Sequence, residues 1–251
     1  MADPDLVVEI EASGYRAWPA RELVEYDGWQ LRYADGFSRR ANSLLPIGVS
    51  SLDVDTKLDH CSRWFDRRGL GLVVRCTPLC EPGIDDELAQ RGFTREGETR
   101  VMVADLAGGD DHGPKPAERA TAGWWDAMAR LWSIAPQLRP AWRGIVGRIT
   151  LPAAYAAIPG ADDAIAAGLG VVDGASVGLF EIVVDPARRR RGHGRELTLT
   201  LLGWGRSRGA ERAYLQVVSG NEPAISLYES LGFRHAYTYW YRRAASADAG
   251  E

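Results

Sequence analysis

The first hundred residues alternate between apolar and polar positions in a way that predicts strands and helices in turn. Residues 28–34 alternate with the period of a strand and end at Asp35-Gly36, which is typical of a turn. Over residues 53–68 the apolar positions recur at helical spacing. By the same criteria we expect a strand at 71–76, a helix at 84–91 and a strand at 100–106.

The rest of the chain repeats this alternation with more elements. Helical spacing predicts helices near residues 124–134 and 141–149. Asp173-Gly174 predicts a hairpin turn between two of the strands that follow. The remaining predicted elements are strands at 153–158, 164–172 and 176–184, a helix at 195–208, a strand at 213–218, a helix at 222–231 and a strand at 237–242.

One segment, residues 107–117, is rich in Gly, Pro and Asp and lacks apolar periodicity, which is typical of a linker. Residues 86–103 weakly resemble residues 228–242, because each segment has a predicted helix, followed by Gly-Phe and then by an alternating strand. This similarity indicates a degenerate internal duplication. We predict an N-terminal domain at 1–107, a linker at 108–117, a C-terminal catalytic domain at 118–245 and a flexible tail at 246–251.

Composition narrows the class of protein. The chain has 251 residues, of which 45% are hydrophobic and 25% charged, as in ordinary globular proteins. A net charge of −4 and a pI of about 5.7 argue against a nucleic-acid partner. No apolar run is long enough for a transmembrane helix and the acidic N-terminus does not resemble a secretory signal, so we expect no membrane partner. The three cysteines favour a reduced protein, and we expect a cytoplasmic location.

The segment with the clearest chemistry follows the strand at 176–184. Four arginines at 188–191 lead into Gly192-His193-Gly194 and then into the helix at 195–208. A strand that turns through a basic, glycine-rich loop into a helix is suited to bind phosphate, because the glycines expose backbone N–H groups and the helix N-terminus is partially positive.

Two motifs resemble those of the GCN5-related N-acetyltransferase (GNAT) family. Arg189-x-x-Gly192-x-Gly194 fits the Q/R-x-x-G-x-G/A pattern of that family. A second segment runs from Asn221 through Tyr228 to Gly232-Phe233 and fits the family's next conserved segment in order and spacing. The resemblance covers residues 118–243, whereas the N-terminal part resembles a degenerate GNAT half without the arginine–glycine loop.

The resemblance implies a mixed α/β (α+β) sheet with the GNAT acyl-CoA-binding fold, in tandem with the degenerate N-terminal copy. It further implies that acetyl-CoA is the cosubstrate and that the strand before the loop splays from its neighbour to pair with the pantetheine arm. The cofactor-binding residues implied are Ile182, Val183, Val184, Arg189, Arg190, Arg191, Gly192, His193, Gly194, Arg195 and Asn221.

Two residues are candidates for proton transfer to and from the reacting groups. Glu181 is the only charged residue within the apolar strand 179–184, and a buried carboxylate is unfavourable unless it is paired or takes part in chemistry. We interpret it as the general base, with a glutamate facing solvent as the alternative. Tyr228 occupies the family's tyrosine position and is the candidate general acid for the thiolate, with a packed aromatic as the alternative. The backbone N–H of Val183 would polarise the thioester carbonyl.

The acceptor is an unidentified amine. Four tryptophans at 124, 125, 132 and 142, the nearby Arg139 and Arg143, and the alternating Tyr239 and Trp240 indicate an aromatic acceptor pocket, and the basic pair hints at an acid group. We favour a small-molecule acceptor; a protein acceptor and a non-catalytic acyl-CoA-binding module stay open. Three roles stay open for the N-terminal domain: it walls the acceptor cleft, forms a homodimer contact or stabilises the fold.

Two other patterns favour structural roles. Gly174-Ala-Ser176-Val-Gly178 matches the G-x-S-x-G motif of hydrolases, but its serine begins a hairpin strand rather than a strand-to-helix turn. Cys61, Cys76 and Cys80 have irregular spacing and no second Cys/His pair, so we expect no metal site.

Overall fold

The computed structural model describes residues 3–106, 115–161 and 163–244, which we divide into a first half (3–106) and a second half (115–244). The helices are α1 (Pro4–Ala17), α2 (Val54–Asp66), α3 (Ile84–Gln90), α4 (Ala122–Leu131), α5 (Arg139–Gly147), α6 (His193–Ser207) and α7 (Glu222–Glu229). The strands are β1 (Glu22–Tyr26), β2 (Trp29–Tyr33), β3 (Ser43–Pro46), β4 (Val73–Cys76), β5 (Thr94–Asp105), β6 (Ala153–Pro159), β7 (Ala164–Asp173), β8 (Ser176–Val184), β9 (Arg212–Val218) and β10 (Arg234–Arg243).

The predicted elements are present, most with shifts of at most three residues at their ends, but the strand predicted at 100–106 begins at Thr94 instead, and the sequence reasoning missed α1, β1 and β3. Asp3 is the N-cap of α1: its side chain accepts a hydrogen bond from the backbone N–H of Asp5, and Pro4 is the first residue of the helix. Its buried face includes small and polar residues such as Ser13 and Gly14, so its apolar spacing is weak. Strand β3 has only four residues and is buried throughout, which removes the alternation that marks a half-exposed strand.

All ten strands of the described chain form one mixed sheet, in the order β1-β2-β3-β4-β10-β5-β9-β8-β7-β6. At one edge the antiparallel strands β1, β2 and β3 are followed by β4, which is parallel to β3. At the other edge the antiparallel strands β6, β7 and β8 are followed by β9, which is parallel to β8. The order is therefore palindromic, with β1 to β5 corresponding to β6 to β10. This symmetry is what an internal duplication produces.

The two halves exchange their last strands. Strand β10 of the second half lies between β4 and β5 of the first half and is antiparallel to both. Strand β5 of the first half pairs in turn with β9, from Thr99 opposite Val218 to Asp105 opposite Arg212. The boundaries of the two domains stay a prediction; most of the linker at 108–117 and the whole tail at 246–251 lie outside the described residues.

Helix α1 also crosses from the first half to the second. Arg16 forms an ion pair with Asp173 at 2.6 Å, and Glu9 accepts hydrogen bonds from Ser176 at 2.9 Å and Arg212 at 2.7 Å. Its buried residues join a core cluster that includes side chains from α4, α5, β7, β8 and β10. The first helix of the chain thus packs on the sheet of the second half.

A buried ion pair lies where α1 meets the centre of the sheet. Glu11 and Arg75 are each about 2% exposed and are joined by a bidentate contact. Glu11 also accepts hydrogen bonds from the hydroxyl of Tyr237 at 2.6 Å and from that of Tyr15 at 2.7 Å. Burial alone raises the pKa of Glu11, but the charge of Arg75 and the hydrogen bonds from Arg75, Tyr237 and Tyr15 outweigh it, so the pKa lies below its ordinary value. The network joins α1, β4 and β10.

We expect Arg75→Met to reduce the free energy of unfolding at pH 7 by about 3–5 kcal/mol, because it leaves the Glu11 carboxylate buried without its cation. The pKa of Glu11 is lowered in the folded protein, so its carboxylate stabilises the fold above pH 4.5 and loses this effect on acidification. The difference in unfolding free energy between the variant and the unmodified protein should therefore become smaller as the pH falls below 4.5. Urea unfolding of the unmodified protein and of the variant, at pH 7 and at a pH below 4.5, measures the loss of unfolding free energy under both conditions.

The matched control is Arg95→Gln. Arg95 pairs with Glu98 at 2.6 Å, but both side chains are more than 40% exposed, so the change should be at most about 1 kcal/mol. Equal effects of the two substitutions would contradict the role given to the buried pair.

We also expect the two halves to depend on each other for folding. A polypeptide of residues 115–251 would present β10 without both of its neighbours and β9 with an open edge, which favours aggregation. Co-expression of residues 1–112 and 113–251 as separate chains should instead yield a soluble complex that co-purifies through a tag on one chain. A folded, monomeric second half obtained alone would disprove this.

Candidate functional site

The cavity of interest opens where β8 and β9 diverge. The two strands pair in parallel from Ser176 opposite Arg212 to Leu179 opposite Leu215, and the described pairing ends there. A cavity of about 370 Å³ occupies the gap. It is lined by Ser38, Arg39, Arg40, Thr99, Trp132, Leu179, Phe180, Glu181, Ile182, Leu215, Gln216, Val217, Val218, Asn221, Ala224, Tyr228, Tyr239 and Tyr241.

A β-bulge turns β8 at this point. Leu169 pairs with Phe180 and Ala167 with Val183, so β8 carries one extra residue between the two pairs. Glu181 has a φ of 53°, a conformation that costs a residue other than glycine about 1–2 kcal/mol. The indole N–H of Trp132 donates to its carbonyl oxygen at 3.1 Å. The bulge places Glu181, Ile182 and Phe180 all on the cavity, which strict alternation along the strand would not do.

Glu181 is paired rather than solvated. Its side chain is 9% exposed, and its Oε1 atom forms an ion pair with the guanidinium of Arg40. In the described part of the chain its other carboxylate oxygen, Oε2, has no hydrogen-bond partner. The strand therefore presents one free carboxylate oxygen at the cavity, held in place by a cation from the first half.

Tyr228 reaches the same cavity from α7. Its side chain is 7% exposed and packs edge-on against Phe233, with ring centroids 5.8 Å apart. Burial raises the pKa of Tyr228 to about 12. At neutral pH the phenol is therefore protonated and can donate a proton. Asn221 caps α7 by accepting a hydrogen bond from the N–H of Ala224 at 3.4 Å and also lines the cavity.

The arginine–glycine loop joins β8 to α6. Gly192 is the N-cap of α6 with a φ of 88°, and no side chain caps this end of the helix. The first N–H groups of α6 are thus available to an anion. A Cβ atom on Gly194 would lie 3.1 Å from Leu227, so the glycine allows α6 and α7 to pack closely beside the cavity.

The other predicted cofactor residues lie on or beside this loop. Val183 and Val184 pair with β7 on one side, whereas on the side of β9 the described pairing has already ended. The Arg189 guanidinium donates to the carbonyl of Val184 at 3.3 Å, and Arg195 donates to Ser230 at 3.2 Å. The imidazole Nδ1 of His193 lies 3.7 Å from the carboxylate of Glu196. Arg190, like Gly192, has a positive φ, and with Arg191 it lies on the exposed part of the loop.

The aromatic residues predicted for the acceptor pocket divide into two groups. Trp132 and Tyr239 line the cavity. Trp124, Trp125 and Trp142 instead pack against one another with ring centroids 4.8–6.0 Å apart, outside the lining of this cavity.

The other polar and aromatic residues of that prediction also lie elsewhere. Arg143 is over the ring of Trp125, and Arg139 donates to the carbonyl of Ile134. Trp240 donates to Asp85 at 2.7 Å, on the opposite face of β10 from Tyr239. The predicted basic pair is therefore not part of the cavity.

The sequence reasoning missed the residues that the first half contributes. Ser38 and Arg40 lie in a short loop and 3-10 helix before β3, and Thr99 lies on the exchanged strand β5. Gln216 and Tyr241 were missed as well; the side-chain oxygen of Gln216 accepts from Tyr239 at 2.9 Å. The loop has no motif, and only the fold brings Arg40 to Glu181, 141 positions away.

The corresponding loop of the first half, between β3 and α2, is closed by its own carboxylate. Asp27 accepts hydrogen bonds from the backbone N–H groups of Ser51 and Leu52, each at 2.9 Å, and from the Ser51 hydroxyl at 2.6 Å. These hydrogen bonds hold the pKa of Asp27 well below its ordinary value. Lys57 lies 3.5 Å from the same carboxylate, and Asp53 caps α2. An internal anion therefore lies where the second half has its open arginine–glycine loop.

Neither the G-x-S-x-G pattern nor the three cysteines line the cavity. Ser176 begins β8 after the turn at Gly174 and donates to Glu9, so the predicted hairpin is confirmed. Cys61 and Cys76 are buried in the core of the first half, and burial raises the pKa of Cys61 to about 12. Among the described residues no cluster of His, Cys, Asp and Glu could hold a metal ion, and no helix is both long and apolar enough to cross a bilayer.

Comparisons with known proteins agree with this geometry. The model of the family "Probable histone acetyltransferase Rv0428c C-terminal" matches residues 7–242. The chain belongs to this acetyltransferase family. The probable histone acetyltransferase Rv0428c of Mycobacterium tuberculosis is 31% identical over 230 residues, covering 90% of this chain and 70% of that protein. An uncharacterized N-acetyltransferase of Bacillus subtilis, YobR, is 26% identical over 251 residues, covering 95% and 98% of the two chains.

Solved structures of the GNAT fold are similar over nearly the whole chain. A GCN5-related N-acetyltransferase from Kribbella flavida superposes with a TM-score of 0.72 and 15% identity, covering 97% of both chains. A tandem GNAT protein from the clavulanic acid biosynthesis pathway gives a TM-score of 0.62 and 14% identity, covering 96% of this chain and 89% of the other. The GNAT fold and the tandem architecture expected from the motifs are confirmed.

Proposed function

We propose that this GNAT protein transfers the acetyl group of acetyl-CoA to the primary amine of a small molecule, by direct attack in a ternary complex. The observation that carries the proposal is one cavity, at the splay of β8 and β9, that contains both a carboxylate with a free oxygen and a protonated phenol. The arginine–glycine loop that follows β8 leads to the uncapped N-terminus of α6.

The residues around the splay suit acetyl-CoA. Beyond Leu179 the edge of β8 that faces β9 is without a strand partner in the described chain, so Ile182, Val183 and Val184 can pair with an extended pantetheine arm. The N–H groups from Arg190 to Arg195 would bind the pyrophosphate, with Arg189 and Arg191 nearby and Asn221 beside the arm. The bound cosubstrate supplies a thioester whose acetyl carbon accepts the amine.

Glu181 then acts as the general base and Tyr228 as the general acid. Glu181 takes a proton from the acceptor ammonium at Oε2, directly or through a water molecule, and the free amine forms the new C–N bond. A backbone N–H of β8 that points away from β7 donates to the carbonyl oxygen as charge develops there. The N–H of Val183 is not that donor, because Asp185 donates to Ile165 of β7 and the alternation along the strand directs the N–H of Val183 to β7 as well.

The C–S bond breaks, and the hydroxyl of Tyr228 donates a proton to the departing sulfur. The second proton of the amine nitrogen then passes to the Tyr228 phenolate, which leaves the neutral amide, free CoA thiol and a protonated Glu181 that releases its proton to solvent. No covalent bond to the enzyme is formed.

A small acceptor fits the dimensions of the site. A volume of about 370 Å³ is at the lower end of the range of small-molecule pockets. Its walls come from both halves, with Ser38 and Arg40 from the first half and Trp132 from the second. This supports the role of the first half as a wall of the acceptor cleft.

Protein acetylation is the second candidate, since the Mycobacterium tuberculosis relative is described as a probable histone acetyltransferase. Trp132, at the cavity, is 46% exposed and would be available to a protein surface. A non-catalytic acyl-CoA-binding module is the third candidate. The first half of this chain already shows a GNAT-like half that lacks the motif, with its loop bound to the carboxylate of Asp27.

We expect Glu181→Gln and Tyr228→Phe each to lower kcat by about 10²-fold or more, because each removes a positioned proton-transfer group, while the affinity for acetyl-CoA changes little. Because the pKa of Tyr228 is about 12, the phenol stays protonated over the working range, so Tyr228→Phe should lower the pH–rate profile without moving its limbs. Steady-state kinetics with an amine panel, together with calorimetry, measures both.

Matched controls are Glu87→Gln on α3 and Tyr26→Phe on β1, which lie outside the cavity. Both should retain full activity. Full activity in the Glu181 and Tyr228 variants would remove these two residues from the mechanism, whereas acetyl-CoA binding without acetylation of any amine by the unmodified protein would favour the non-catalytic module.

We expect Gly192→Val to weaken acetyl-CoA binding by at least about tenfold, because a side chain at this positive φ distorts the loop whose N–H groups face the phosphates. Gly209→Val, at the other end of α6 with φ +86°, is the control, since it has similar strain in open space. Calorimetric titration should give one site per chain for the unmodified protein and for the Gly209 variant. Equal affinities of the two variants would exclude the loop as the phosphate site.

A further inference from the structure

Arg40 is the positive group of the cavity that is directed at the reacting carboxylate. The charged residues of the lining are Arg39, Arg40 and Glu181. Arg39 lies over the ring of Tyr241 and pairs at 2.9 Å with Glu96, a carboxylate that it shares with Arg243, so it is directed away from Glu181. Arg40 instead pairs with Glu181 itself.

The guanidinium of Arg40 packs against a stacked pair of aromatic rings and keeps N–H donors available. Its central carbon lies 4.6 Å from the ring centroid of Trp18 and 5.8 Å from that of Phe180. Among the described contacts, its Nε donates to Ser38 at 3.4 Å and Nη2 contacts Glu181. A guanidinium has five N–H donors in a planar fork, and 23% of this side chain is exposed, so a second anion can bind beside Glu181.

The proposed reaction changes the charge balance at this arginine. When Glu181 takes the proton of the acceptor ammonium, the carboxylate becomes neutral and Arg40 loses its counter-ion. An unbalanced cation in a partly buried site is unfavourable. An anionic group on the acceptor, bound to the free donors of Arg40, would balance this charge throughout the transfer.

We propose that Arg40 binds a carboxylate of the acceptor, and that the substrates of this site are small amines that also carry an acid group, with amino acids as the chemical class. This proposal rests on the proposed acetyltransferase function. Arg40 and Glu181 are in direct contact, so the acid and the amine of the acceptor must be only a few bonds apart. The cavity volume of about 370 Å³ sets the same limit on size.

The test compares acids with their amides. Glycine, β-alanine and γ-aminobutyrate are each paired with the corresponding primary amide, and kcat/KM is expressed per free amine to remove differences in amine basicity. We expect the unmodified enzyme to prefer the acid in at least one pair by tenfold or more, mainly through KM. Arg40→Gln should bring that ratio close to one, and Arg40→Lys should restore part of it.

Arg95→Gln is the matched control. Arg95 also lies over a tryptophan ring, that of Trp240 at 3.9 Å, and also pairs with a glutamate, Glu98, but it is outside the cavity. Its substitution should leave the acid-to-amide ratio unchanged.

The outcomes separate this proposal from the function on which it rests. Acetylation of amides, or of a lysine in an end-capped peptide, as fast as of the acids would overturn the role of Arg40 while keeping the acetyltransferase. If nothing is acetylated, the proposed function fails, and calorimetry of the same acids and amides against the CoA-saturated protein still tests Arg40. Tighter binding of an acid, lost in Arg40→Gln but not in Arg95→Gln, supports the carboxylate site, and equal binding refutes it.

Discussion

The backbone pairing of β10 between β4 and β5 is the constraint on which the rest of this molecule depends. Because each half donates its last strand to the other, the two halves share one sheet of ten strands in the described chain. The central strands β10 and β5 carry Tyr239, Tyr241 and Thr99 to the cavity, while the loop before β3 brings Ser38 and Arg40. The site is therefore a property of the joined halves, and a change that loosened the strand exchange would remove one wall of it.

Duplication has left the two halves with the same topology and different chemistry. In the second half, the N-terminus of α6 has no side-chain cap and follows a loop of arginines and glycines. In the first half, Asp53 caps the N-terminus of α2, and the N–H groups of Ser51 and Leu52 in the loop before it bind the carboxylate of Asp27, with Lys57 beside it. Both loops satisfy the same requirement for negative charge at exposed N–H groups. One half meets it internally, and the other leaves it open to a ligand.

Glu181 shows how the fold holds a charged group at an otherwise apolar strand. The bulge turns its side chain to the cavity, the indole of Trp132 binds its carbonyl oxygen, and Arg40 balances its charge. Arg40 itself packs against the stacked rings of Trp18, the residue that follows α1, and of Phe180 on β8. A carboxylate that is paired on one oxygen and open on the other combines a fixed position with access for a proton. The first half thus contributes a charged partner to the cavity of the second, as well as part of its lining.

The sequence by itself determined most helices and strands, and the family, because apolar periodicity and motif spacing are local properties of the chain. Gly192, Gly194 and Tyr228 were identifiable because each belongs to a motif whose members are near neighbours along one loop or helix. The short buried strand β3 and the helix α1 lacked such a pattern. Only the tertiary structure decided that β5 and β10 are exchanged, that Arg40 faces Glu181 and that Trp124 and Trp142 pack away from the cavity. The physical reason is that periodicity specifies which face of an element is buried, whereas backbone hydrogen bonds are alike in every strand and leave the choice of partner to the packing of the whole chain.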